Sequence, residues 1–143
     1  MPRRRKPREL FLSHATADKA FVNKVAALLR DHDVRVWYSR HHLRGADRWH
    51  DQIGEALQRC DWFLVVLSPA STQSMWVKRE VLFALKQHRF SDRILPVLYK
   101  KCDPERLSWA LDDSQMVDFT AGFDRGSAHL LNVWRLPPST KKP

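Results

Sequence analysis

At 143 residues the chain is the length of one domain. A domain of this size buries roughly 70% of the surface its unfolded chain exposes, so its core needs neither a metal nor a disulfide framework. With 43% hydrophobic and 29% charged residues the composition excludes a disordered chain, and the formal charge of +9 is a property of the ends: Arg3, Arg4, Arg5, Lys6, Arg8, Lys141 and Lys142 supply seven of it and leave +2 for residues 9–140.

In chain order, residues 1–8 read as a basic tail, 9–136 as the domain and 137–143 as a second tail. Glu9–Ser13 is a short apolar run. Residues 18–30 place Phe21, Val25, Leu28 and Leu29 at helical spacing, with Thr16 as a partial cap. Residues 34–38 (V-R-V-W-Y) read as a second strand and 39–48 as a polar loop rich in Arg and His. Helical periodicity returns at 49–59 through Ile53, Ala56 and Leu57. Residues 61–67 (D-W-F-L-V-V-L) are apolar on both faces, as a central parallel strand should be. A loop at 68–74 and a helix at 75–88 follow. Residues 93–99 are a fourth strand, in which Pro96 predicts an edge or a bulge. A short helix at 107–111, a weak fifth strand at 115–119 and a helix at 127–136 complete the domain.

Strictly alternating strands and helices imply an α/β fold: a five-stranded parallel sheet with helices on both faces, in flavodoxin-like order. Ligands of such sheets bind beyond the carboxyl ends of the strands, which directs attention to Ser13-His14, to 38–49, to 68–74 and to the loop after Tyr99.

Trp76 and Glu80 stand four residues apart on the helix from Met75 and so share a face, which Phe83 continues; Val77, Val81, Ala84 and Leu85 form the stripe for the sheet. Two readings fit. Glu80 is a surface carboxylate beside a partly buried indole, or it holds a ribose by its hydroxyls while Trp76 stacks on a base. Ser13 and His14 likewise either line a nucleotide site or form a local turn. Trp49 is either a packing residue at a helix start or a contact to substrate or a neighbouring subunit. Arg40 and Arg44 are phosphate candidates by charge and position. Trp109 and Trp134 look like packing residues, and Cys60 looks structural. His41-His42 have no Cys or carboxylate partners at ligand spacing, so no metal is expected. Cys60 and Cys102 form no C-x-x-C pair, which suits a reducing compartment. No apolar run of 18 residues is present and no apolar segment follows Arg3–Arg5, so a cytoplasmic chain without a membrane partner is expected. No aromatics interleave with the tail charges, and no specific nucleic-acid partner is expected.

Five ordered stretches carry a family resemblance. F-L-S-H-A at 11–15 with Asp18, V-W-Y at 36–38, 43–49 with Ile53 and Ala56-Leu57, L-V-V-L-S at 64–68, and Ser74, Trp76 and Glu80 in S-M-W-V-K-R-E at 74–80 resemble the motifs of bacterial TIR (Toll/interleukin-1 receptor) domains, of the short standalone type. The resemblance covers about Leu10 to Phe119. It implies either cleavage of NAD+ at the nicotinamide–ribose bond, giving nicotinamide and ADP-ribose or a cyclic or transferred ADP-ribose signal, or a non-catalytic TIR–TIR adaptor. It implies Glu80 as the catalytic residue, with Trp76, Ser13, His14, Tyr38, Arg44 and Trp49 around the substrate. NAD+ would be a substrate, with no cofactor. The family also implies self-association that involves the so-called BB loop at 39–48, signalling to an effector that reads the product, and a role in antiphage defence. Three positions depart from the family: Ala46 replaces a glycine, with Gly45 one residue earlier; Ser39 follows Tyr38 where relatives carry Asp; Ala15 and Thr16 stand where animal relatives carry arginines. A phospho-acceptor receiver domain shares the fold, but Ser13-His14 and Ser68 occupy the places of its acidic residues. A glycosyl-transfer enzyme acting on nucleosides is a more distant reading.

Overall fold

Alternation of side chains along the strands decides the layers. In β1 (Glu9–Ser13), Leu10 and Leu12 point to one face and Phe11 to the other; in β3 (Trp62–Leu67), Trp62, Leu64 and Val66 oppose Phe63, Val65 and Leu67. The computed structural model describes residues 5–38, 46–111 and 116–137, with backbone only at 46–50. With β2 (Arg35–Tyr38), β4 (Ile94–Leu98) and β5 (Val117–Asp118) these strands form one sheet in the order β2-β1-β3-β4-β5, every neighbouring pair parallel. The Leu10 face packs on α1 (Lys19–Asp31) and α5 (Phe123–Val133) through Val22, Val25, Leu29 and Leu130. The Phe11 face packs on α2 (Ala46–Arg59) and α4 (Met75–Leu85) through Ile53, Ala56, Leu57, Val77 and Val81. Each fully buried large side chain contributes about 1.5–3 kcal/mol. The five-stranded, three-layer flavodoxin-like fold expected from the sequence is the one observed.

Local chemistry shifts several boundaries. α2 starts at Ala46, three residues before the expected Trp49. The expected loop at 68–74 contains a one-turn helix, α3 (Pro69–Thr72): Pro69 suits a first helical position, and Ser68 and Ser71 cap each other reciprocally. α4 stops at Leu85, and a 3-10 turn at His88–Phe90 replaces its expected last turn. Thr16 caps nothing; it opens a 3-10 turn, Thr16–Asp18, that leads into α1. The helix expected at 107–111 is a 3-10 turn at Pro104–Arg106 instead. Trp109 is 86% exposed, not a packing residue, whereas Trp134 is buried edge-on against Trp62.

Pro96 lies in β4, between β3 and β5, and not at an edge. Arg93 accepts from Phe63 and Tyr99 donates to Leu67, so the odd-numbered residues of β4 face β3 and Pro96 faces β5. The ladder to β5 begins only at Val97, so the missing N–H of Pro96 breaks no strand pairing.

α5 begins at Phe123 rather than Ser127, which puts Gly126 inside it. A Cβ there would stand 2.2 Å from the Phe119 ring, itself buried against Phe21 and Phe123. Alanine gains about 1 kcal/mol of helix propensity, but overpacking of this kind typically costs 1–3 kcal/mol. The net cost of up to about 2 kcal/mol is expected to lower the melting temperature of Gly126→Ala by up to about 8 °C; a raised melting temperature would show that Phe119 swings aside freely.

At the amino ends of the strands, Asp61 accepts from the backbone N–H of Arg8 and Glu9 at 3.0–3.1 Å, and Arg59 forks onto Glu9 at 2.8 Å. His32, just after α1, gathers the first and last described segments: Lys6 Nζ donates to its carbonyl at 3.0 Å, and its Nε2 lies 2.8 Å from the Pro137 carbonyl. Cys60, between Arg59 and Asp61, is buried, and burial, helped by Glu9, pushes its thiol up from 9.0 to about 12. The unfolded thiol ionises first as pH rises, so this proton stabilises the fold fully below about pH 9 and the advantage is lost between there and 12. In a disulfide-exchange titration at pH 8, half-buried Cys102 should react with the folded chain and Cys60 only in denaturant. Equal reactivity would contradict the burial.

Candidate functional site

β1 ends in Ser13, and α4 starts beside it under a cap in which Ser74 Oγ accepts from Val77 N–H at 3.2 Å. The inward face of α4 is Val77, Glu80, Val81 and Ala84, so one carboxylate stands in an apolar stripe. Glu80 is only 3% exposed. Ser13, wholly buried, donates its hydroxyl to Glu80 Oε1 at 2.6 Å, the length of a charge-assisted bond. A buried carboxylate persists only with such donors, because desolvation penalises the charged form.

Glu80 belongs to the wall of a cleft of about 240 Å³ between α2 and α4. α2 contributes Ile53, Gly54 and Leu57; α4 contributes Trp76, Arg79, Glu80 and Phe83. A Cβ at Gly54 would meet nothing within 4 Å, so the α2 wall is open there. The Arg79 guanidinium lies over the Trp76 ring, 5.3 Å from its centroid.

A second polar network ties the turns at the carboxyl edge together. Ser68, at the end of β3, donates to Asp18 Oδ2 at 2.5 Å, and both side chains are buried. This bond fastens the segment after β1 to the segment after β3, on either side of Ser13. Next to Ser13, the buried His14 ring meets Tyr38 edge-on at 6.0 Å.

The expected site residues thus fall into connected groups. Trp76 and Glu80 share one cleft; Ser13 stands behind Glu80; His14 and Tyr38 form a contact one residue further along. Arg40, Arg44 and His41-His42 lie outside the described residues, as does 39–45 of the expected loop; Trp49 belongs to α2, with its side chain outside them. Among the described residues no group of three metal-ligating side chains occurs and no helix is long and apolar enough to cross a membrane. Sequence reasoning passed over Arg79, Gly54 and the Asp18–Ser68 bond. Arg79 was detectable, being three residues after Trp76 and therefore on its side of the helix; the other two depend on long-range packing.

A doubly wound parallel sheet with a polar site at the carboxyl ends of its first and third strands defines the class: a flavodoxin-like α/β domain with an open cleft beside that site. The TIR-domain family model matches residues 10–131, and the chain belongs to that family. It is 36% identical over 107 residues to the NAD(+) hydrolase PdTIR of Paracoccus denitrificans, which covers 73% of this chain and 36% of that protein. It is 27% identical over 112 residues to the 2' cyclic ADP-D-ribose synthase BtTIR of Bacteroides thetaiotaomicron, covering 77% and 39%. A third relative, the 2' cyclic ADP-D-ribose synthase AbTIR of Acinetobacter baumannii, is 32% identical over 97 residues, covering 64% and 35%. The chain therefore spans little more than a third of the length of these curated relatives. Among solved structures, the TIR domain of the Toll-related receptor TRR-2 of Hydra magnipapillata superposes with a TM-score of 0.69 at 16% identity, covering 88% of this chain and 94% of that one. A prokaryotic SEFIR domain gives 0.64 at 16%, covering 94% and 97%. These two likenesses concern the fold.

Proposed function

We propose that the chain cleaves NAD+ at the nicotinamide–ribose bond. The observation that carries this reading is the buried Glu80 carboxylate, held by Ser13 in the wall of an indole-lined cleft. The activities for which the PdTIR, BtTIR and AbTIR relatives are named support the substrate. The pyridinium of NAD+ departs as neutral nicotinamide with the bonding electron pair, so no general acid is needed, unlike ordinary glycoside hydrolysis with its two carboxylates. What the protein must supply is a fixed ribose and a negative charge facing the oxocarbenium-like transition state, and Glu80 supplies both. Water then bonds to the anomeric carbon and releases a proton, giving ADP-ribose; a hydroxyl of the ADP-ribose itself in that place gives a cyclic product.

In this reading Trp76 stacks on a base, Ser13 orients Glu80, and His14 and Tyr38 continue the site along β1 and β2. Arg44 and Trp49 also contact the substrate in this reading. Self-association through 39–48, an effector that reads the product, a cytoplasmic setting and antiphage signalling belong to the same proposal, as does a domain bounded at 9–136.

The test is incubation of the chain with NAD+ across protein concentrations, with mass analysis of all nucleotide products. Nicotinamide should appear, with a rate per molecule that rises with concentration. No nicotinamide at any concentration would replace this reading with that of a TIR–TIR adaptor. Ser13→Ala removes a hydrogen bond to a charged group, typically worth 1.5–3 kcal/mol. It is expected to lower kcat by about tenfold or more, with Ser13→Thr recovering part of it if the added methyl fits. Unaltered turnover in Ser13→Ala would dissociate Ser13 from Glu80 function.

A further inference from the structure

We propose that Arg79 reads the phosphates of the ligand: its guanidinium takes the pyrophosphate of a dinucleotide whose ribose lies on Glu80. The inference rests on the nucleotide reading above and adds the residue that selects for a phosphorylated ligand. Its starting point is the charge of the cleft. The described lining is apolar apart from one acid, Glu80, and one cation, Arg79. A pyrophosphate brought beside a buried carboxylate is repelled unless a cation stands between or next to them. Arg79 is the lining residue with that charge, and it directly precedes Glu80 in the chain.

Its geometry suits the task. Arg79 is three residues after Trp76, so both side chains leave the same side of α4. The guanidinium lies over the indole, 5.3 Å from the ring centroid. The guanidinium carries an N–H edge, a rigid fork that matches phosphate oxygens in pairs. Arg79 is exposed, so this edge is reached without unfolding the wall.

The experiment is calorimetric titration of the intact chain with ADP-ribose and, separately, with adenosine, for the wild type, Arg79→Gln and Arg79→Lys. Loss of a charged hydrogen-bond pair corresponds to about a 10- to 100-fold change in affinity. Arg79→Gln is expected to weaken ADP-ribose by that factor and adenosine by less than about twofold, with Arg79→Lys recovering only the part of the loss that depends on charge, since an ammonium lacks the fork. Raising the salt should weaken ADP-ribose binding to the wild type more steeply than to Arg79→Gln. In turnover, the KM for NAD+ should rise with kcat nearly constant. Equal losses for both ligands, no loss for either, or no ADP-ribose binding by the wild type would overturn the inference. Arg79-dependent ADP-ribose binding without NAD+ cleavage would leave it standing and remove the proposed reaction; cleavage indifferent to Arg79→Gln would do the reverse.

Discussion

Glu80→Gln should release nicotinamide from NAD+ at about 10²–10³ times below the wild-type rate, the loss typical when one electrostatic contact to a transition state is removed. The amide has the shape of the carboxylate, and the Ser13 hydroxyl, 2.6 Å from Oε1, can still donate to the amide oxygen. The charge disappears, and one acceptor oxygen becomes an N–H2 donor. Because Glu80 is 3% exposed, exchanging a buried charge for a neutral amide relieves desolvation, and the melting temperature should hold or rise slightly. Loss of rate with retained stability and retained ADP-ribose binding is the signature of a group that acts on the transition state. Nicotinamide release by Glu80→Gln within about threefold of wild type would end the assignment. Glu80→Ala is the poorer probe, since it opens a cavity behind Trp76 as well.

Phe11→Ala should damage the core severely. Phe11 is fully buried on β1, beside the central strand β3, stacked on Trp37 at 5.0 Å and on Phe63 at 5.3 Å. Phe→Ala in such a place costs about 3–5 kcal/mol, a large share of the roughly 5–15 kcal/mol that holds a domain together. The melting temperature should fall by about 8–20 °C, and Phe11→Leu should recover much of it. The same cluster contains Ile53 and Leu57, the α2 wall of the cleft, so the variant should lose activity on warming well before the wild type. A fall of under about 3 °C would mean that Trp37 and Phe63 close over the gap.

The strands that carry the site were legible because their signals are local and one-dimensional. Residues 62–67 are six consecutive apolar positions, and a strand buried on both faces has no other simple sequence. The inward face of α4 was legible from its spacing, including the placement of Glu80 beside the core. Pro96 misled because a proline reports only its own missing donor; which neighbour that donor would face, and where the neighbouring strand begins, are facts of three dimensions. The Ser-Pro-x-Ser run at 68–71 did hold a signal for α3, since proline at a first helical position with reciprocal serine caps is a helix start. Trp109 carried no local sign of its exposure. The bonds that define the site, Ser13 to Glu80 across 67 residues and Asp18 to Ser68 across 50, are products of the sheet order and lie beyond any periodicity.

The meeting of Lys6 and Pro137 at His32 has a practical consequence for rearranging this domain. Since both described ends converge on one histidine, at the amino edge of the sheet and away from Ser13 and Glu80, a short Gly/Ser bridge is long enough to join them. The chain can then be reopened in a different surface connection, such as the exposed turn at Ser91–Asp92, to give a circular permutant with its cleft intact. A cargo joined at Lys6 or Pro137 would attach at the base of the fold, on the side away from the mouth between α2 and α4.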